Sequence, residues 1–385
     1  MAAPRRPEIR ERDLKGFKYF RPIQNLLGRL HNVGTARDRA GNRELFCDEF
    51  VSLLLLYFFN PIVSSLRGLQ QASTLSKVQK SLSVGRSSLG SLSEATGVFP
   101  AAYLRTIVQE LAEQALPLEQ GREGEALRGL TAVDGTLLPA LPRMLWALWQ
   151  DPKHRAAKMH LHFDVLKGVP ADATFTPGAS SEPEQLRLTL QPGRLYVVDR
   201  GYASFPLFRH ILDAGSSFVA RVKDNTVFTV AEERPLTAAA QAAGVVRDVI
   251  VSKLGTDHHR DYLQRPVRLV IVRRQKPNGE TEELWLVTDR LDLDADLIAL
   301  AYRFRWTVEL FFRWFKCILG CRHLLLEDAN GVALQAYAAL IASLLIVLWT
   351  GRKPNKRTWE MLLFYFSGWA SEEELIAHLQ KMPPE

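Results

Sequence analysis

Residues 301–320, AYRFRWTVELFFRWFKCILG, constrain this chain more than any other stretch. Tyr302, Arg305, Glu309 and Lys316 stand at offsets of 3, 7 and 14 from the first. At about 100° per residue, they fall within roughly 60° of one another on a helix. Most of the other positions are apolar: Phe304, Trp306, Val308, Leu310, Phe311, Phe312, Trp314 and Phe315. A surface helix shows the reverse pattern, a narrow apolar stripe and a broad polar face. The spacing therefore predicts a buried helix lining a polar cleft. A carboxylate flanked by cations in such a cleft suits metal and phosphate chemistry. Arg305 and Glu309 also form an i, i+4 pair, which by itself reads as helix support.

A chain of 385 residues allows roughly two to three domains. With 47% hydrophobic and 24% charged residues it can build a sizeable core as a soluble protein. A net charge of +7 favours a polyanionic partner. Cys47, Cys317 and Cys321 are an odd set without framework spacing, which points to a reducing compartment. Cys317 and Cys321 lie one turn apart on the predicted helix and read as buried, inert thiols rather than a zinc pair. The N-terminal MAAPRRPEIRERDLKGF has no apolar signal region. The greasiest runs, 50–59 and 332–349, read as buried core helices and not membrane spans. These readings place the chain in the cytoplasm, with no membrane partner.

Along the chain, residues 1–120 read mainly as helices, with examples at 44–59 and 104–116, punctuated by Pro61 and Pro100. Between these helices, 73–97 is rich in Ser and Gly and carries Lys77, Lys80 and Arg86. It reads equally as two short helices facing a phosphate backbone or as a solvated linker. From Leu127 the pattern turns to short strands: 127–141, ending on Asp134-Gly135; 158–170, with a turn near Lys167-Gly168; 186–190; 194–198 before Asp199-Arg200-Gly201 and a helix from about Phe205; and 217–223. Residues 224–290 are β-rich, and Lys276-Pro277-Asn278-Gly279 signals a hairpin. The remainder reads as helical. The division expected is 1–120, 121–223, 224–290, 291–349 and 350–385, with 121–223 and 291–349 forming one α/β core around the β-rich insertion.

Asp134 and Asp199 each follow four uncharged, largely apolar residues and precede a glycine by no more than two positions. Glycine lets the chain turn away and leaves the carboxylate at the sheet edge, where open α/β sheets hold ligands. Either aspartate alone also reads as the start of an ordinary turn. Together with Glu309 they can hold two divalent cations, leaving room for waters and phosphate oxygens. Two such ions about 4 Å apart activate an attacking oxygen and stabilise a leaving one. The basic balance and cationic stripe then suit a DNA substrate.

With these residues in view, the chain resembles the DDE transposases of the bacterial insertion-sequence-four type. Tyr302, Arg305, Glu309 and Lys316 match that branch's Y-x2-R-x3-E-x6-K signature with every gap kept, and TAVDGT (131–136) and DRGY (199–202) are similar to its other two blocks. The resemblance covers about residues 127–349. It implies a ribonuclease-H-like mixed sheet with flanking helices, interrupted by a β-rich insertion, plus helical N- and C-terminal regions, the former binding DNA. It implies a catalytic and metal-binding triad of Asp134, Asp199 and Glu309 with two Mg²⁺ ions, for which Mn²⁺ can substitute. It implies cleavage at transposon ends, joining of the 3′-OH to target DNA, a homodimer on double-stranded DNA, and a bacterial, nucleoid-associated location. Arg305 and Lys316 are then expected to bind phosphates, and Tyr302 to hold the DNA near the cleaved end. A related metal-dependent nuclease and a transposase-derived, non-catalytic DNA-binding protein are the alternatives.

Further residues carry smaller expectations. Trp285 reads as a base-stacking residue or, on a strand, as core. Trp306 reads as packing. Lys158 shares a strand face with His160 and His162 and is expected to approach DNA, the histidines being structural or DNA-facing rather than metal ligands. Arg200 reads as a phosphate contact or an ion-pair partner. His258, His259 and Arg260 read as a solvated turn. Helices 332–349 and 359–369 are candidates for a dimer contact or, for the first, completion of the core.

Overall fold

The computed structural model describes residues 20–381 apart from 39–40, 119–120, 141–142, 152–153, 256–262, 264, 277, 322 and 354. The His258-His259-Arg260 turn and the whole N-terminal MAAPRRPEIRERDLKGF reading lie outside the described residues.

Ten strands form one mixed sheet. They are β1 (Leu130–Pro139), β2 (Leu148–Asp151), β3 (His154–Asp164), β4 (Val169–Pro177), β5 (Leu195–Val198), β6 (Ser217–Val222), β7 (Phe228–Glu233), β8 (Val245–Leu254), β9 (Val267–Gln275) and β10 (Thr281–Thr288). β1 lies antiparallel to β3, and β3 antiparallel to β4. On its other edge β1 pairs parallel with β5, and β5 parallel with β6. The spatial order β4-β3-β1-β5-β6, three antiparallel strands and two returning parallel, is the ribonuclease-H-like arrangement. β2 pairs antiparallel with the start of β3, at His154 and Arg155, before the pairing with β4 begins. Past β6 the same sheet continues antiparallel through β10, β9, β8 and β7, so residues 228–288 extend the sheet edge. The β9–β10 hairpin closes where the N–H of Gly279, at φ +83°, donates to the Lys276 carbonyl. Glycine meets that left-handed backbone without a Cβ clash.

Among the described residues, the helices that position the rest include α1 (Cys47–Phe59), α2 (Ala102–Gln114), α3 (Glu182–Leu188), α4 (Phe205–Asp213), α5 (Ala295–Phe304), α6 (Trp306–Arg313) and α7 (Ala329–Thr350). Segment 73–97 forms two short helices, Ser76–Leu82 and Leu89–Val98. The N-terminal helices share a hydrophobic core with the sheet and α7. Arg105 of α2 clamps Asp172 of β4 with two bonds of 2.7 and 2.6 Å, and the Asn330 side chain bonds Thr96, Phe99 and Ala101. By length and composition α7 is apolar enough to cross a membrane. Its buried residues run nearly its whole length, and Tyr337 donates to the Ala173 carbonyl at 2.7 Å, so it completes the core. A helix apolar on every face belongs inside a protein of this size.

Several expectations are corrected. The strand expected at 186–190 is part of α3 and the turn after it. Ser181 caps that helix and Pro183 sits in its first turn. Leu186 is 2% exposed and Leu188 62%, a helical and not an alternating pattern. Nor does β1 end at Asp134. Its pairing with β3 runs on to Pro139, and only its parallel pairing with β5 stops, at Ala132. The stretch 301–320 is not one α-helix. α5 gives way at Arg305 to α6, and Trp314–Ile318 continues as a π-helical turn. Cys321 lies beyond that turn and is buried, whereas Cys317 is exposed.

Candidate active site

Asp134 and Asp199 meet where β1 and β5 part. Beyond Ala132 and Val197 the two parallel strands no longer exchange hydrogen bonds. Asp134 remains in the pairing with β3, held beside Leu161. Asp199 leaves β5, and its Oδ1 accepts the Gly201 N–H at 2.8 Å to cap the turn 200–202. A carboxylate stationed where a parallel pair diverges faces the crevice that such sheets use for ligands.

α6 brings the cationic stripe against β1. Arg305 donates through Nη2 to Glu309 Oε1 at 2.7 Å, and its Nη1 lies 3.8 Å from Asp134 Oδ2. Lys316 donates to the Thr136 hydroxyl at 2.9 Å. Thr136 is two residues after Asp134, hence on the same face of β1. The π-helical turn holds Lys316 in that direction; such turns recur at functional sites. Tyr302 is buried, with the Arg305 guanidinium 5.9 Å from its ring centre. Despite the interruption at Arg305 and the π-helical turn, Arg305 and Lys316 both reach β1; Glu309 is held by Arg305, and Tyr302 lies against the Arg305 guanidinium.

Burial pushes the Asp134 carboxyl up to about 7. The Gly135 N–H and Arg305 oppose that rise, while Asp199 and Glu182 add to it by repulsion. Desolvation and nearby like charge both penalise an ionised carboxylate. A bound cation would relieve both, so the oxygen donors at Asp134 and Asp199 fit a divalent ion. Glu309 is turned to Arg305 instead. Among the described residues, no group of three His, Cys, Asp or Glu side chains is gathered closely enough to hold an ion in this arrangement.

The remaining predicted residues lie at different distances from this centre. Arg200 is exposed beside Asp199. Lys158 is mostly buried, donating to the Ser180 carbonyl at 2.9 Å and lying 3.3 Å from Glu182. Trp285 is half-buried on β10, edge-on to Phe228 at 5.7 Å, away from the α6 stripe. His160 and His162 are buried and meet Thr176 and Thr189 at 2.8 and 3.1 Å. The expectation that Trp306 packs is corrected. It is 49% exposed, stacked under Arg305 at 5.4 Å. With Tyr302, Arg303, Arg273 and Arg274 it lines a cavity of about 350 Å³.

Three neighbours of Asp134 are absent from the sequence reading: Glu182, Tyr202 and Thr136. Period-two alternation along β1 contained the signal for Thr136. Tyr202 stood inside DRGY. Nothing in the sequence ties Glu182, 48 residues downstream on another element, to Asp134.

Residues 125–345 match the family described as the transposase DDE domain. A protein of Sinorhizobium fredii, named as a transposase, is 29% identical over 76% of this chain and 80% of its own length. One of Geobacillus stearothermophilus, named as the transposase of an insertion-sequence element, is 28% identical over 62% of this chain and 63% of itself. A third, from Synechocystis and similarly named, is 20% identical over 86% of this chain and 90% of itself.

Proposed function

We propose that this chain, which belongs to the family of transposases with a DDE domain, works through Asp134, Asp199 and Glu309 as its catalytic and metal-binding triad. The protein is a DNA transposase, an enzyme of DNA cleavage and strand transfer that depends on divalent metal ions. The ion we assign is Mg²⁺, two per site, with Mn²⁺ as a substitute. The substrates are the ends of an insertion-sequence element and then target DNA, handled by a homodimer assembled on DNA in the cytoplasm, at the nucleoid. The N-terminal region to residue 120 contributes to end binding.

Arg305 bridging Asp134 and Glu309 carries this reading. It puts a bidentate phosphate ligand between two of the three acids. Asp134, on β1, and Asp199, just past the end of β5, would hold the first ion. Glu309 would be free to join them once the Arg305 fork turned from it to a DNA phosphate. Lys316, fixed through Thr136, grips a neighbouring phosphate as a point charge, and Tyr302 supports Arg305 from below. In this reading Arg200, exposed beside Asp199, would contact the backbone flanking this centre, Lys158 would do so once released from Glu182, and Trp285 would meet the DNA farther along the sheet. Bound divalent ions supply activation of the attacking oxygen and charge neutralisation at the leaving one.

The test is cleavage of DNA carrying the element's own ends, with Mg²⁺, by wild type and by Glu309→Gln. Wild type should expose a 3′-OH at the element boundary, and the variant should bind the ends without cutting them. Equal cutting by both removes Glu309 from the mechanism.

A further inference from the structure

Glu182 is the acidic group next to Asp134 that the signature does not contain. It stands at the first position of α3, where Ser181 caps the helix. Its side chain folds over Gly135: a Cβ built there would come within 2.5 Å of Glu182 Oε1 and 2.8 Å of its carboxyl carbon. Any larger residue at 135 would displace this carboxylate, so the glycine beside Asp134 keeps the space that Glu182 fills.

A second observation points into the same space. Tyr202 is 1% exposed, and its hydroxyl makes no hydrogen bond of good geometry, Glu182 being the side chain placed to accept one. The charges acting on that hydroxyl are Glu182, Asp134 and Asp199. Leaving a buried hydroxyl unsatisfied costs about 1–3 kcal/mol, so its retention calls for an explanation. Three carboxylates around one unsatisfied donor, with Lys158 at 3.3 Å the ion-pair partner of Glu182, form an acidic cup with its donor already in place.

We propose that Glu182 is a fourth carboxylate of the divalent-cation site, acting with Asp134 and Asp199, and that the Tyr202 hydroxyl orients it. The proposal rests on the reading of Asp134 and Asp199 as metal ligands. A hard cation takes oxygen ligands and keeps several waters, so Glu182 acts either on the ion or on one of its waters. A hydroxyl that fixes a ligand's free oxygen is the usual outer support of such a site. With Glu309 engaged by Arg305, Glu182 is the third acid beside the β1–β5 divergence; the three side chains are not gathered round one point in this arrangement and would close together on the first ion as it binds, before DNA arrives.

The experiment is a titration of the full chain with Mn²⁺ alone, without DNA, following free Mn²⁺ by electron paramagnetic resonance. Thermal melts of each variant without metal check folding. Wild type, Asp134→Asn, Glu182→Gln, Lys158→Met and the Glu182→Gln/Lys158→Met double variant are compared. Glu182→Gln should weaken Mn²⁺ binding about tenfold or more. Lys158→Met should bind at least as tightly as wild type, since it frees Glu182. The double variant should stay weak. Wild-type affinity in Glu182→Gln overturns the proposal. So does recovery in the double variant, which would mean that Glu182 only screens Lys158. Weakening by Asp134→Asn but not by Glu182→Gln sinks this inference alone. Unchanged binding in Asp134→Asn sinks the reading of the triad itself, and absence of binding by wild type sinks both.

Discussion

Arg305 donates to Glu309 at 2.7 Å while its other terminal nitrogen lies 3.8 Å from Asp134, so one guanidinium spans two of the three acids proposed as the triad. The pair is an i, i+4 contact on the helix surface, but Arg305 itself is buried. Its charge is therefore screened less than that of an exposed pair. Arg305→Ala should weaken binding of end DNA and reduce the slope of log Kd against log salt by about 1. Arg305→Lys should keep the slope but not the affinity, because a point charge lacks the fork. Fluorescence anisotropy across a salt series measures both; an unchanged slope in Arg305→Ala places this side chain off the phosphates.

Lys316 and Thr136 lie on different elements and meet at 2.9 Å. If the hydroxyl aims the ammonium, Thr136→Val should weaken end binding in wild type but add little to Lys316→Ala. A double-mutant cycle should give a coupling of about 0.5–1.5 kcal/mol. Simple additivity in end-binding Kd would mean that the two act independently.

His160 and His162 set an acid limit on stability. Burial, the leading cause for both, holds each imidazole down to about 4. Between about 4 and the ordinary 6.5 the unfolded chain binds protons that the folded chain refuses. Stability from these groups is thus complete above pH 6.5 and lost as pH falls towards 4. Each pKa unit corresponds to about 1.4 kcal/mol, so the pair accounts for several kcal/mol. Melting temperatures from pH 7 to 4 should fall steeply for wild type and less steeply for His160→Gln/His162→Gln; parallel curves would assign the acid loss elsewhere.

Arg268 and Asp248 form a buried bidentate pair at 2.7 and 2.6 Å between β9 and β8, and Arg268 also reaches the Leu293 carbonyl. Asp248→Ala leaves a buried, uncompensated guanidinium and should cost about 3–5 kcal/mol in urea unfolding. A loss under 1 kcal/mol would indicate that water reaches the arginine.

The element types around the site were largely legible in the sequence. The apolar run before Asp199, the strand at 217–222, the Asn-Gly hairpin and the unbroken apolarity of 332–349 are local patterns, and local sterics and burial determine them. The ribonuclease-H-like order was expected only through the signature's resemblance. The misread parts have physical reasons. Alternating leucines at 186–190 imitate a strand, but Ser181 and Pro183 start a helix there. Asp134-Gly135 looks like a strand end, yet β3 supplies hydrogen-bond partners up to Pro139.

Residue spacing alone predicted Tyr302, Arg305, Glu309 and Lys316 on one face, because helical periodicity is a property of the backbone and needs no partner; the break at Arg305 and the π-helical turn are not part of that periodicity. What that face meets was decided by tertiary structure. The divergence of β1 from β5 sets Asp134 beside Asp199. The π-helical turn delivers Lys316 to Thr136, and the crossover through α3 lays Glu182 over Gly135. These contacts join residues up to 180 positions apart. They arise from strand pairing and from packing of the whole core, which no window of sequence contains.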